Sequence, residues 1–186
     1  MKNQGIKNLI IAAMLFCLGL VLPILTGQIP KIGNMLLPMH LPVFLCGLIC
    51  NWKYGGAVGF ALPLVRSLIF GMPVLYPTAI AMAFELASYG LIIGLIYEYS
   101  PWRSVKAIYL YLITAMLGGR IVWGIAQTIL LGFSEDGFTL VIFITNGFIN
   151  AIPGIILQLI LIPAIMVATK KAHLSIFKKQ KGSYDA

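Results

Sequence analysis

The sequence predicts an all-α integral membrane protein with six transmembrane helices. Hydrophobic residues make up 60% of the 186 residues and charged residues only 10%, whereas about 25% of a typical soluble domain is charged. Apolar runs recur along most of the chain, and about 20 apolar residues suffice to span a bilayer as a helix. The net charge of +8 is therefore interpreted as a determinant of membrane orientation, and no nucleic-acid partner is expected.

Six apolar segments give the predicted helices. They lie at residues 6–25, 39–50, 56–70, 78–97, 107–131 and 138–169. The first lacks the small-residue site of a cleaved signal peptide and is long enough to span, so it counts as a helix. The second is short, and Pro63 predicts a kink in the third. Pro153 predicts either a bend in the last segment or a separate re-entrant piece before it.

The basic residues predict the orientation of these spans. With six crossings both termini lie on one side, and Lys31 alone among the basic loop residues falls on the other, with the acidic turn at 132–137. The positive-inside rule then places both termini in the cytoplasm. The basic residues on that side are Lys2, Lys7, Lys53, Arg103, Lys106, Lys170, Lys171, Lys178, Lys179 and Lys181. Residues 1–171 form the predicted membrane domain, and residues 172–186 form a basic cytoplasmic tail that contacts anionic lipid.

Charged side chains inside the spans are the strongest functional signal. Arg66, Glu85 and Arg120 lie within apolar segments, and His40 begins the second one. A charge in the bilayer interior costs at least about 2.5–3.5 kcal/mol, so it usually marks a site. At about 1.5 Å of rise per residue, polar side chains from four helices reach the outer half of the membrane. The predicted solute pocket comprises His40, Arg66, Glu85, Tyr89, Arg120, Trp123, Gln127, Asn146 and Asn150.

The residue types suggest individual roles in that pocket. Arg120 is the expected partner of an anionic or carbonyl group of the solute, and Glu85 is the expected acceptor for a donor group. Trp123 shares a helix face with Arg120 and offers a surface on which a ring can stack. Asn146 and Asn150 share a face as well, and can bond either the solute or a neighbouring helix.

Structural interpretations stay open for the charged residues. Arg66 can pair with Glu85, or it can extend its charge to the outer interface. Arg120 can form a structural ion pair with Glu85, since it lies too deep to reach the interface easily. His40 can simply be the residue that begins its helix.

Motifs of catalysis and metal binding are absent from the sequence. It contains no Walker A lysine motif, no H-E-x-x-H, no G-x-S-x-G and no paired aspartates of a lipid phosphotransferase. Cys46 and Cys50 share a helix face, but two thiols alone make a poor metal site, so no metal or cofactor is expected. The alternatives to a solute-binding subunit are a membrane enzyme on a lipid or prenyl substrate, with Glu85 and His40 as acid and base, and a purely structural subunit.

The chain resembles the S component of energy-coupling factor (ECF) transporters. The resemblance rests on GNMLLPMHLPVFLCGLICNWKYGGAVGFALPLVRSLIFGMP, PTAIAMAFELASYG, GGRIVWG and NAIPGIILQLILIP, and it covers residues 6–171. It implies a six-helix, non-enzymatic, high-affinity binding subunit for a vitamin or vitamin precursor in a bacterial plasma membrane. The implied partners are a transmembrane T component and two cytoplasmic ATPases, whose ATP hydrolysis drives toppling of the S component.

The resemblance also implies a docking surface and a lid. The family often carries an A-x-x-x-A pattern on its first helix, where small residues let a partner helix approach. Here the candidate docking residues are Ala12, Ala13 and Cys17, of which Ala13 and Cys17 keep the small–small spacing. Residues 27–38 correspond to the lid. The solute stays open between pantothenate, a B6 vitamer or pyrimidine, and a ribazole-type precursor.

Overall fold

The computed structural model describes residues 2–25, 37–102, 104–132 and 140–171, and these residues form helices and turns without a β-strand. The helices are α1 (Lys2–Leu25), α2 (His40–Ile49), α3 (Trp52–Phe70), α4 (Ile80–Tyr99), α5 (Val105–Leu131), α6 (Leu140–Ile144) and α7 (Ile152–Lys171). One π-helical turn, Leu75–Ala79, precedes α4 and another, Thr145–Ile149, follows α6. The prediction of an all-α chain is confirmed over the described ranges.

Within the described residues, four helical stretches are long and apolar enough to cross a membrane: Gln4–Ile24, Leu75–Tyr99, Val105–Leu131 and Val141–Thr169. The chain is therefore a multi-pass membrane protein. α2, with 10 residues, is shorter than a full span, which takes about 20 residues. Six crossings with both termini in the cytoplasm stay a prediction.

Three predicted features fall mainly on residues that the structure does not describe. They are the lid at 27–38, of which residues 37 and 38 are described, the acidic turn at 132–137 and the tail at 172–186.

Asn51 separates α2 from α3 and starts α3 earlier than the sequence predicted. Its side chain accepts a hydrogen bond from the Lys53 amide at 3.1 Å, as a helix N-cap does. α3 consequently begins at Trp52 and not at residue 56. Ser104 starts α5 in the same way, because its hydroxyl accepts from the Ala107 amide at 3.2 Å.

The last predicted span is divided into two helices. The π-helical turn after α6 ends at Ile149, and α7 begins at Ile152. Pro153 therefore lies in the first turn of α7. Backbone amides there have no intrahelical acceptor, so proline removes no hydrogen bond. Here proline begins a helix instead of bending one.

α4 lies at the centre of the fold and packs against α2, α3 and α5. α1 covers α2 and α3 on one side, and α7 contacts α5 and α2 on the other. Between them lies an apolar core that includes Phe44, Leu62, Leu86, Ile93 and Leu112.

A glycine seam, formed by Gly55, Gly59 and Gly90, brings α3 and α4 into backbone contact. A methyl group on Gly90 would overlap the backbone of Gly55, and one on Gly59 would overlap the backbone of Leu86. Small residues four positions apart, as Gly55 and Gly59 are, allow membrane helices to approach this closely. The seam therefore fixes α4 against α3, and with it the side chains on the opposite face of α4.

The glycine seam generates a stability prediction. Gly90→Ala should destabilise the folded protein by about 1–3 kcal/mol, because the added methyl must separate two packed backbones. Thermal unfolding in detergent should show a clear loss of Tm. The matched control is Gly5→Ala on α1, where a methyl meets no atom within 4 Å. An equal Tm for the two variants would contradict the close contact.

Candidate functional site

Three buried side chains from two helices meet at one carboxylate. Glu85 Oε1 lies 2.7 Å from Arg120 Nη1 and accepts a hydrogen bond from the Tyr89 hydroxyl at 2.7 Å. Glu85 and Tyr89 lie four residues apart on α4, so their side chains share one helix face. Arg120 reaches them from α5. The predicted structural pairing of Arg120 with Glu85 is therefore the one that the structure forms.

This contact requires Gly119 on α5. A methyl group at Gly119 would overlap the ring of Tyr89. With hydrogen in that place, the Tyr89 ring lies against the α5 backbone, and its hydroxyl points along α4 to Glu85. The next residue on α5, Arg120, then meets the same carboxylate from the other side.

The ion pair is excluded from solvent. Glu85 is 1% exposed and Arg120 is 6% exposed. Removing one partner of a buried pair typically costs about 3–5 kcal/mol, since the other charge is left without compensation. Each charge is therefore needed to stabilise the other. The Tyr89 hydroxyl donates a further hydrogen bond to the carboxylate.

His40 lies beside this cluster without completing its own hydrogen bonds. Its Nε2 is 3.8 Å from Glu85 Oε1, too long for a hydrogen bond. Neither ring nitrogen has a hydrogen-bond partner among the described residues, although the side chain is buried. Its ring centroid lies 5.4 Å from that of Tyr89. Buried polar atoms in proteins are almost always bonded, so this residue needs an explanation.

A cavity of about 160 Å³ adjoins the cluster. Its walls come from α2, α4, α5, the π-helical turn after α6, and α7. The lining residues are Leu37, His40, Tyr89, Ile113, Met116, Leu117, Arg120, Phe148, Ile155, Gln158 and Leu159. The arrangement is that of a small-molecule site, a mostly apolar cavity with a few polar groups at fixed places.

Gln158 on α7 is a cavity residue that the sequence analysis missed. It is 2% exposed, and its Nε2 lies 3.4 Å from the Leu37 carbonyl oxygen. The available signal was a lone amide in the apolar run GIILQLILIP. Since that run is apolar on every face, its periodicity could not show which side faces inward.

Trp123 and Gln127 are buried on α5 but do not line the cavity. The Trp123 ring stacks on Phe143 with centroids 6.0 Å apart, and the Arg120 guanidinium carbon lies 5.9 Å from its centroid. Trp123 therefore packs against Arg120 without lining the cavity. Gln127 Oε1 is buried without a hydrogen-bond partner among the described residues.

Arg66 lies away from the cavity and does not pair with Glu85. Its Nη1 donates to the Leu20 carbonyl oxygen of α1 at 2.5 Å, and its guanidinium carbon lies 5.1 Å from the Phe70 ring centroid. The side chain is 3% exposed. Here Arg66 connects α3 to the end of α1.

Asn146 and Asn150 are exposed and bond each other, with Asn150 Nδ2 donating to Asn146 Oδ1 at 3.0 Å. Their shared face was predicted, but neither residue lines the cavity, which Phe148 reaches from the same segment. The π-helical turn at Thr145–Ile149 changes the phase of the helix here, so spacing alone could not give the inward face.

The docking candidates on α1 divide into two groups. Ala13 and Cys17 are exposed and lie one turn apart. Ala12 is 3% exposed and belongs to the protein core, so it is covered by the chain itself. Among the described residues no group of three or more His, Cys, Asp or Glu side chains could hold a metal ion.

Comparison with known proteins identifies the family. A family model described as the substrate-specific component of ECF transporters matches residues 7–166. No curated protein sequence and no solved structure matches the chain significantly. The matched range includes every cavity residue on α2, α4, α5 and α7. The predicted resemblance is confirmed, and the chain belongs to the family of substrate-specific components of ECF transporters, which are transport subunits and not enzymes.

Proposed function

We propose that this protein captures a small vitamin-like solute in the cavity beside Glu85 and Arg120 and delivers it through an ECF importer. The observation that carries the proposal is a buried histidine on the wall of an otherwise largely apolar cavity, whose two ring nitrogens have no hydrogen-bond partner among the described residues. A bound solute would supply the missing hydrogen-bond partners, which explains how such a group is tolerated.

The lining residues suggest how the solute is held. Arg120 uses Nη1 for Glu85 and carries further N–H donors on the same guanidinium. Glu85 does not line the cavity and acts by fixing Arg120 and Tyr89. Gln158 offers an amide from the facing helix. In this proposal His40 and Gln158 contact the solute. They replace Trp123, Asn146 and Asn150, which the sequence predicted as solute contacts.

The energy for import would come from other chains. In this proposal a T component and two cytoplasmic ATPases lie beside the protein, and toppling in the membrane would carry the solute inward. We propose, as the sequence predicted, that the protein crosses a bacterial plasma membrane six times with both termini in the cytoplasm. The exposed pair Ala13 and Cys17 would receive the T component, because small side chains permit close helix approach.

The two alternative functions have less support. An enzyme would need Glu85 as acid or base, but its Oε1 already meets Arg120 and Tyr89. His40 is 3.8 Å from that oxygen, so the two side chains form no hydrogen bond through which a proton could pass. A purely structural network would close on itself without a cavity, whereas Arg120, Tyr89 and His40 all line one.

Loss of Arg120 should abolish solute retention. We expect the protein purified from its expression host to carry a solute detectable by native mass spectrometry, and Arg120→Ala to lose it. Because the lone Glu85 charge can impair folding, the double variant Glu85→Gln/Arg120→Met, which removes both charges, is measured beside it. Lys106→Ala at the exposed start of α5 is the control. A folded double variant with full solute occupancy would refute the proposed site.

The docking surface generates a separate prediction. Ala13→Trp should reduce copurification with the T component and ATPases at least tenfold, because the indole blocks helix approach. Solute occupancy should not change, since Ala13 lies outside the cavity lining. Thr114→Trp, at an exposed position on α5, is the control for adding an exposed indole. Assembly at the normal level in Ala13→Trp would place the partner elsewhere.

A further inference from the structure

We propose that the solute is an uncharged molecule with about the size of one aromatic ring, which hydrogen-bonds His40 and Arg120. This inference rests on the proposed function and narrows its solute class. It is built from the charge balance of the cavity wall, the volume of the cavity and the state of His40.

The described part of the cavity wall carries no net charge. The Arg120 guanidinium is balanced by Glu85 at 2.7 Å, and Glu85 lies directly behind Arg120 and Tyr89. The other lining residues apart from His40 are neutral. A charged solute would have to break the ion pair or, if it is an anion, bring a proton onto buried His40, and both are unfavourable in a buried site. An uncharged solute leaves the pair intact.

His40 does not change this balance. A protonated His40 would place a second cation next to a single carboxylate that Arg120 already neutralises. At 2% exposure, such an excess charge is unfavourable. The neutral imidazole has one N–H donor and one nitrogen acceptor. Its two ring nitrogens have no hydrogen-bond partner among the described residues. They therefore suit a solute that carries one acceptor and one donor, and not a counter-ion.

The cavity volume sets the size. At about 160 Å³, it is close to an engineered cavity of about 150 Å³ that binds benzene and well below the roughly 300 Å³ at which pockets for larger ligands begin. Seven of the eleven lining residues are aliphatic, methionine or phenylalanine, so most of the solute surface is apolar. The rings of Tyr89 and Phe148 also line the cavity. They favour a flat solute. The described part of the cavity therefore favours a single ring over a two-ring system or a long branched acid.

The test compares compounds that share one ring and differ in charge. Solute-depleted protein in detergent is titrated with pyridine-3-carboxamide, pyridine-3-carboxylate, 3-(aminomethyl)pyridine and quinoline-3-carboxamide, and Tm is measured. In parallel, the compound that copurifies with freshly purified protein is identified by mass spectrometry. We expect the uncharged single-ring amide to raise Tm most, and the copurified compound to be uncharged with one ring.

Each other result has a defined meaning. A stronger effect of the acid, the amine or the two-ring amide overturns the inference but leaves solute binding in place. So does a copurified compound that is charged or larger than one ring. If no compound of the series raises Tm, the copurified compound alone tests the inference. An uncharged single-ring compound supports the inference, and any other compound overturns it. If nothing copurifies and nothing binds, the proposed function fails together with the inference.

His40 provides an independent arm of the test. His40→Phe keeps a ring of similar size and removes both nitrogens, so the affinity for the best uncharged compound should fall at least tenfold, the effect of two lost hydrogen bonds. His40→Gln should keep part of the affinity, because an amide again offers a donor and an acceptor. Ser88→Ala on α4, whose hydroxyl bonds the Phe84 carbonyl, is the control. Unchanged affinity in His40→Phe would remove His40 from the site.

Discussion

The ion pair between Glu85 and Arg120 is the interaction on which the interior of this protein depends. It joins α4 to α5 at a depth where neither charge could persist alone. The same carboxylate accepts a hydrogen bond from Tyr89, so one oxygen of Glu85 holds the side chains of both Arg120 and Tyr89. The cavity lies against this ordered wall, and the pair therefore serves both the folding of the helices and the shape of the site.

Much of the architecture could be predicted because membrane helices follow simple rules. Apolar length gave the helical segments, and charges inside them directed attention to Glu85 and Arg120. The pairing between these two was one of the open interpretations, since burial of opposite charges at similar depth favours contact. The sequence could not distinguish this pairing from one between Glu85 and Arg66. In the structure, Arg66 bonds the Leu20 carbonyl instead.

The remaining differences have physical causes that the sequence pattern does not reveal. Helices that are apolar on every face give no signal for the inward side, so Gln158 was overlooked. Asn146 and Asn150 share a face, as expected, but the π-helical turn between α6 and α7 changes the phase of that face. Trp123 lies near Arg120, as predicted, yet it stacks on Phe143, a contact between distant residues that no local pattern contains.

The glycine seam between α3 and α4 has a mechanical consequence. Where backbones touch directly, no interdigitated side chains exist that could exchange one packing for another. Glu85 therefore keeps a fixed position relative to both helices. Under the proposed function, solute entry would require movement at the opposite wall, where α7 meets its neighbours through longer side chains and the 3.4 Å contact from Gln158 to Leu37.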